Sequence, residues 1–327
     1  MGAQVKSATT IDEQLRLMAE RGMQVEDKLA RQWLSNISYY RLSGYSYPYR
    51  ILLPTDNPKK PKRDDRFIEG TSFSDVARLY EFDRKLRTLV YDGIERIEVA
   101  LRARIGEWVV SHGPLAYQDS DLFHPDFDHV AWHETAMRRV ERAKKSNAAI
   151  CHYSENYDGY PFWVLAETLD FSDISILYGG LPVSVQHEIS TAFGFKVDAA
   201  ALLARHKRTY YRQDPLARWC EQLSIVRNVC AHHGRLFNRR FTPASTNVFR
   251  TIPGLSSLPR GQSERLYGAL LVIAFMLNDV SPGTTWTNKL ITLIKSDYMP
   301  LSLRHVSEIG FPEDWETHLR MMMSGQE

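Results

Sequence analysis

Apolar residues recur every three or four positions through most of this 327-residue chain, so helices are the predicted element almost everywhere. The longest such pattern begins at Phe73. Val76, Leu79, Phe82, Leu86, Val90, Ile94, Ile97, Leu101 and Ile105 keep helical spacing there, interrupted only by Asp92-Gly93, which predicts one long helix or a kinked pair. The same spacing predicts helices over 11–20, 25–36, 129–148, 161–178, 183–194, 197–212, 262–279 and 283–296. No alternating run is long enough to build a sheet. Pro48, Pro54, Pro58 and Pro61 break regular structure, and 57–66 reads as a charged loop. The chain is therefore expected to be all-α, with a helical and loop segment over 1–70, a helical core over 71–250 and a helical extension over 251–327.

One predicted helix carries chemistry. From Leu216, the residues Leu216, Cys220, Leu223, Val226 and Cys230 form a core-facing stripe, in which the two cysteines serve as small apolar residues. Glu221, Ser224, Asn228 and His232 follow at spacings of three, four and four and make a polar stripe beside it. Arg227 lies off that line, but its fork can swing over Asn228 and present donors to a phosphate. Gly234 is expected to end the helix, which places His232 in the last turn, where carbonyl ends favour an imidazolium. An imidazole that titrates near neutrality can give or take a proton. The helix end would repel an anion, and Arg227, Arg235, Arg239 and Arg240 are the compensating charges. Cleaving RNA by attack of the ribose 2′-hydroxyl needs a proton acceptor, a proton donor and cations for the phosphorane. One helix supplies one Arg and one His, so a composite site between two copies is expected.

Arg227, four residues and His232, with polar Asn228 directly after the arginine, resembles the motif of HEPN-domain ribonucleases. The surrounding RNVCAHHGRLFNR narrows the likeness to the Abi-like family of bacterial abortive-infection proteins. Further blocks carry it: Arg21-Gly22-Met23 leading into Ile37-Ser38-Tyr39-Tyr40-Arg41-Leu42-Ser43-Gly44-Tyr45, then Leu79-Tyr80-Glu81-Phe82-Asp83-Arg84-Lys85-Leu86-Arg87 running into Ile94-Glu95-Arg96-Ile97-Glu98, and Pro161-Phe162-Trp163-Val164-Leu165-Ala166-Glu167. The resemblance implies a HEPN-type helical bundle with additional N- and C-terminal helices. It implies a homodimeric, metal-independent endoribonuclease that leaves a 2′,3′-cyclic phosphate, with no cofactor, acting as a toxin-like element of phage defence. Arg227, His232 and Asn228 are then the catalytic residues. A regulatory RNA partner is also implied, and the alternative is a non-catalytic scaffold in which the same residues only grip a cognate RNA.

Charge changes the picture more by its distribution than by its sum. The net charge is only +2, yet between Arg205 and Arg250 ten Lys or Arg face two acids, a local +8. Such a zone is a footprint for a polyanion, and Lys207 and Arg208 join Arg235, Arg239 and Arg240 as expected RNA contacts. Arg41 is added from the cluster Tyr39, Tyr40, Arg41, Tyr45, Tyr47, Tyr49 and Arg50, whose tyrosines are otherwise expected to pack at a seam. The run Lys59-Lys60-Pro61-Lys62-Arg63 is expected to be a solvated loop. Glu98 and Arg102, four apart, read as a plain surface pair, the alternative being that this helix packs against the motif helix as the resemblance implies and that Glu95, Glu98 or Arg102 braces the site. His129 and His133 share a helical face near His124, Asp126 and Asp128, but no third ligand is fixed, so no metal site is expected. Three cysteines without a CxxC pairing suggest no disulfide framework. The start lacks an apolar signal region, and Lys6 stands where a myristoylation signal wants Ser or Thr. With the longest apolar run, Tyr267 to Leu277, too short to span a bilayer, a cytoplasmic protein without membrane contact is expected.

Overall fold

A computed structural model describes residues 7–56 and 61–324, with side chains to Met322. Lys6 and the Lys59-Lys60 pair of the basic run lie outside the described residues. The described residues hold fourteen α-helices and two small two-stranded ribbons, an all-α fold. None of these helices is long and apolar enough to cross a membrane. The chain divides into two compact units, residues 1–86 with 292–306 and residues 87–291 with 307–327.

The first unit contains α1 (Ile11–Glu20), α2 (Asp27–Asn36), α3 (Tyr39–Ser46), strands β1 (Arg50–Leu53) and β2 (Lys62–Phe67), and the beginning of α4 (Phe73–Ser111). Thr10 and Glu13 close a capping box at the start of α1. The proline-rich stretch does not dissolve into a loop as expected. Leu53 pairs with Lys62, Leu52 with Arg63 and Arg50 with Phe67, so Pro54 and Pro61 sit in the connection, where no ladder N–H is needed. The tyrosine cluster forms α3 and its exit. Tyr45 and Tyr49 are buried with their hydroxyls donated to Asp83 and to the Asp75 carbonyl, whereas Tyr40 is 89% exposed.

The second unit takes the rest of α4 and then α5 (His129–Ala143), α6 (Ala148–Asn156), α7 (Phe162–Leu165), α8 (Phe171–Gly180), α9 (Val183–Ala192), α10 (Ala204–Tyr210) and α11 (Pro215–Ala231). It continues with β3 (Ala244–Ser245), β4 (Gln262–Ser263), α12 (Leu266–Val280), α13 (Trp286–Leu293) up to Ile291, and α14 (Trp315–Ser324). Its core is built on α12, buried from Leu266 through Ala274, and on α11, along which α8 packs. Several expected helices are shorter than the pattern implied: that over 129–148 stops at Ala143, that over 262–279 starts at Leu266 and that over 283–296 is α-helical only over Trp286–Leu293. The 161–178 stretch breaks at Leu169, because Asp170 caps a new helix, accepting from the Ser172 and Asp173 N–H groups while Asp173 accepts from its own. The 197–212 stretch is helical only from Ala204, since Asp198 turns the preceding chain by accepting from the Ala200 N–H.

Candidate functional site

Asp214 starts the motif helix by accepting from the Leu216 N–H, and Pro215 suits its first turn. Leu216, Cys220, Leu223, Val226 and Cys230 are all buried, so the stripe read from the sequence is the one that anchors α11. Burial pushes the Cys220 thiol well up, which leaves it inert.

The helix ends one residue earlier than its spacing implied. Ala231 is its last residue, and His232 is the flanking cap, donating its N–H to the Asn228 carbonyl at 3.0 Å. The turn that follows is a Schellman closure. The His233 N–H reaches the Cys230 carbonyl at 3.0 Å and the Gly234 N–H the Val229 carbonyl at 2.7 Å. His233, not the glycine, takes the left-handed conformation, with φ at +56°. Gly234 is required instead by close approach, because a Cβ there would stand 3.0 Å from Val229 Cγ1 and 3.2 Å from its carbonyl oxygen. The effect of this closure is to turn His232 outward, where its imidazole is exposed and makes no hydrogen bond or ion pair among the described residues.

Arg227 is held differently. Its side chain is only 24% exposed, Nη1 donates to Asn228 Oδ1 at 3.2 Å, and the guanidinium carbon lies 5.7 Å from the Tyr91 ring centroid. Nε lies 3.6 Å from Glu98 Oε2, a charge contact too long for a hydrogen bond, and Nη2 has no acceptor among the described residues. Glu98, on α4, is buried and also accepts from Arg102 Nη2 at 3.0 Å; the same nitrogen reaches the Leu169 carbonyl at 3.1 Å. Burial raises the Glu98 carboxyl above its ordinary range, and the charges of Arg227 and Arg102 oppose that rise. Two guanidiniums thus share one carboxylate and leave a net positive charge, and the cap of the helix that carries Arg227 presents an exposed imidazole. Such a pairing can fix a phosphate and serve it with a proton donor or acceptor.

Glu98 is therefore no surface pair but a buried brace. Its signal was legible as an acid lodged among Ile94, Ile97 and Leu101 in a helix that buries few charges, Asp75, Asp83 and Arg87 among them. Tyr91 gave no sequence signal at all.

The remaining cations do not converge equally. Arg235 is half-buried just past the turn, and Arg239 is exposed, its guanidinium carbon 6.0 Å from the Phe241 ring centroid. Arg240 is occupied by Glu264 at 2.7 Å, an exposed pair of small energetic worth that a phosphate can displace. Lys207 and Arg208 lie on α10, ahead of the helix start, while His232 caps the other end. Arg41 belongs to the first unit, with its guanidinium carbon 5.8 Å from the Tyr80 ring centroid. His129 Nε2 pairs with the Tyr117 carbonyl at 2.8 Å, and its ring stacks on His133. No cluster of three or more His, Cys, Asp or Glu able to hold a metal ion occurs among the described residues.

No curated protein and no solved structure is matched by this chain. The sequence model of the family described as Abi-like protein matches residues 32–238, which include α4, α11 and the Arg227-to-His232 motif. The chain belongs to the Abi-like protein family.

Proposed function

We propose that this protein is a metal-independent endoribonuclease of the HEPN type that serves abortive infection, with its reacting groups supplied by two copies of α11. The observation that carries this reading is the contrast at the motif. Arg227 is immobilised by Glu98, Asn228 and Tyr91 with Nη2 left over, while His232 stands exposed beyond the last helical turn. A held cation next to an uncommitted imidazole suits transition-state charge stabilisation together with proton transfer.

The reaction balances without another reagent. The 2′-hydroxyl oxygen attacks the adjacent phosphorus as its proton passes to one His232, and the bond from phosphorus to O5′ breaks. O5′ takes a proton from the His232 of the second copy. The products are a 2′,3′-cyclic phosphate and a 5′-hydroxyl. Arg227 Nη2 carries the charge that builds on the phosphoryl oxygens, and Asn228 keeps the fork in place.

Cleavage of end-labelled, partly single-stranded RNA in EDTA tests this. Wild type is expected to yield cyclic-phosphate ends, and Arg227→Ala and His232→Ala to lose about 10²-fold or more in rate. Glu98→Gln, which keeps the shape but removes the charge that orients Arg227, is expected to retain the fold and lose roughly tenfold. RNA bound by wild type with undiminished affinity but never cut would overturn the enzyme in favour of an RNA-gripping scaffold.

A further inference from the structure

A second basic hollow lies away from the motif and takes no part in the chemistry above. α10 contributes Arg205, His206 and Thr209 to it, and the chain beyond α11 contributes Asn247, Arg250 and Arg260. Together they border a cavity of about 820 Å³, within the roughly 300–1,000 Å³ span of ligand sites. Three guanidiniums and an imidazole line it, and no carboxylate does.

The state of these arginines separates them from ordinary surface charges. Arg218 and Arg240, on the same stretch of chain, are each neutralised by a glutamate. Arg205, Arg250 and Arg260 have no carboxylate partner among the described residues. Arg205 Nε donates to His206 Nε2 at 3.1 Å, and Arg250 Nη1 donates to the Leu258 carbonyl, so two of the three are positioned without being neutralised. Bringing like charges together around one hollow is unfavourable until an anion enters it. The lining also limits which anion fits. It has no Phe, Tyr or Trp on which a base could stack, and Thr209 and Asn247 offer hydroxyl and amide groups suited to sugar and phosphate oxygens.

Its place in the fold gives such a ligand a use. α10 leads into the start of α11, and the 17 residues of α11 advance about 25 Å before reaching His232. A strand reacting at His232 can therefore extend to the hollow several nucleotides away. Asn247, Arg250 and Arg260 lie beyond the 32–238 segment matched by the family, so this hollow is completed by the chain's own C-terminal part. We propose that it is a second phosphate-binding site, which holds nucleotide phosphates away from the reacting bond without reading sequence. In taking an RNA strand as the natural source of those phosphates, it rests on the ribonuclease reading above. A free nucleotide shares the same chemistry and is the other source to be tested.

The test is an Arg205→Ala/Arg260→Ala double variant of the full chain. Both residues are exposed, and Arg250 is spared because it holds the Leu258 carbonyl. Binding of a labelled single-stranded RNA across a salt series is compared with wild type and with Arg138→Ala/Arg142→Ala, a charge-matched change on the exposed side of α5. The double variant is expected to bind about tenfold more weakly, with a log–log salt slope shallower by about 1.4, the value for two single-strand phosphate contacts. The control should move neither. Calorimetry with ATP forms the second arm: loss of ATP binding with RNA binding unchanged assigns the site to a free nucleotide. Unchanged affinity for both ligands, or an equal loss in the control, overturns the proposal. Failure of the ribonuclease reading shows separately, as wild type that never cuts RNA whatever these arginines do.

Discussion

Asp214 is the residue whose burial has the most measurable consequence. It caps α11, accepting from the Leu216 N–H at 2.7 Å, and its own N–H donates to Gln186 Oε1 at 3.0 Å. Its other oxygen, Oδ2, has no hydrogen bond and lies 3.8 Å from His187 Nε2, whose ring stacks on Tyr210. Burial pushes the carboxyl from its ordinary 3.8 up to about 7, and the same cause pushes the His187 imidazole down. A carboxyl raised on folding stabilises the native state while protonated. That contribution is complete below about pH 4 and is lost as pH rises through about 7, an effect on the order of 4 kcal/mol. Asp214→Asn keeps a good cap and removes this titration, so its denaturant midpoint should fall less than that of wild type between pH 4 and 8. Equal declines in both proteins would assign the loss elsewhere. None of this was legible in the chain, because an aspartate before a proline marks a helix start whether buried or exposed. Glu98 is the contrasting case. Its spacing from Arg102 was readable, but that Arg227 would close the other side of its carboxylate depended on where α11 lies against α4.

At the scale of elements, periodicity located helices better than it located their breaks. α4 runs unbroken from Phe73 to Ser111, so Asp92-Gly93 does not end the helix. Gly93 is there for what passes over it: a Cβ would stand 2.8 Å from Ile273 Cγ2 and 2.8 Å from Trp286 Nε1, the indole nitrogen that donates to the Leu89 carbonyl. Gly93→Ala tests which effect wins. Alanine improves helix propensity by about 1 kcal/mol, whereas forcing a methyl into a packed seam costs about 1–3 kcal/mol. The seam is expected to win, and thermal unfolding should show a melting temperature lower by several degrees; a rise would mean that α12 and α13 yield readily. The breaks at Leu169 and ahead of Ala204 followed from side-chain caps that the 3.6-residue period cannot register. The β1–β2 ribbon was hidden for a related reason: its residues pair across the proline-rich connection and show no alternating pattern.

At the scale of the molecule, one chain holds a single Arg227 and a single His232, so the proposed chemistry needs a second copy. Specific activity should therefore fall on dilution, in step with loss of dimer measured by light scattering. Constant activity from a species of monomer mass would refute the composite site. The sequence by itself determined the all-α character, the Abi-like family and the buried stripe of α11, because each is written in local spacing or in short runs of neighbouring residues. Only the tertiary structure decided that Glu98 and Tyr91 hold Arg227, that His233 takes the left-handed turn which exposes His232, and that Arg205 and Arg260 border one hollow. Those contacts join residues far apart along the chain or depend on how a helix end is packed, and hydrophobic periodicity records which face of an element is buried but not what it is buried against.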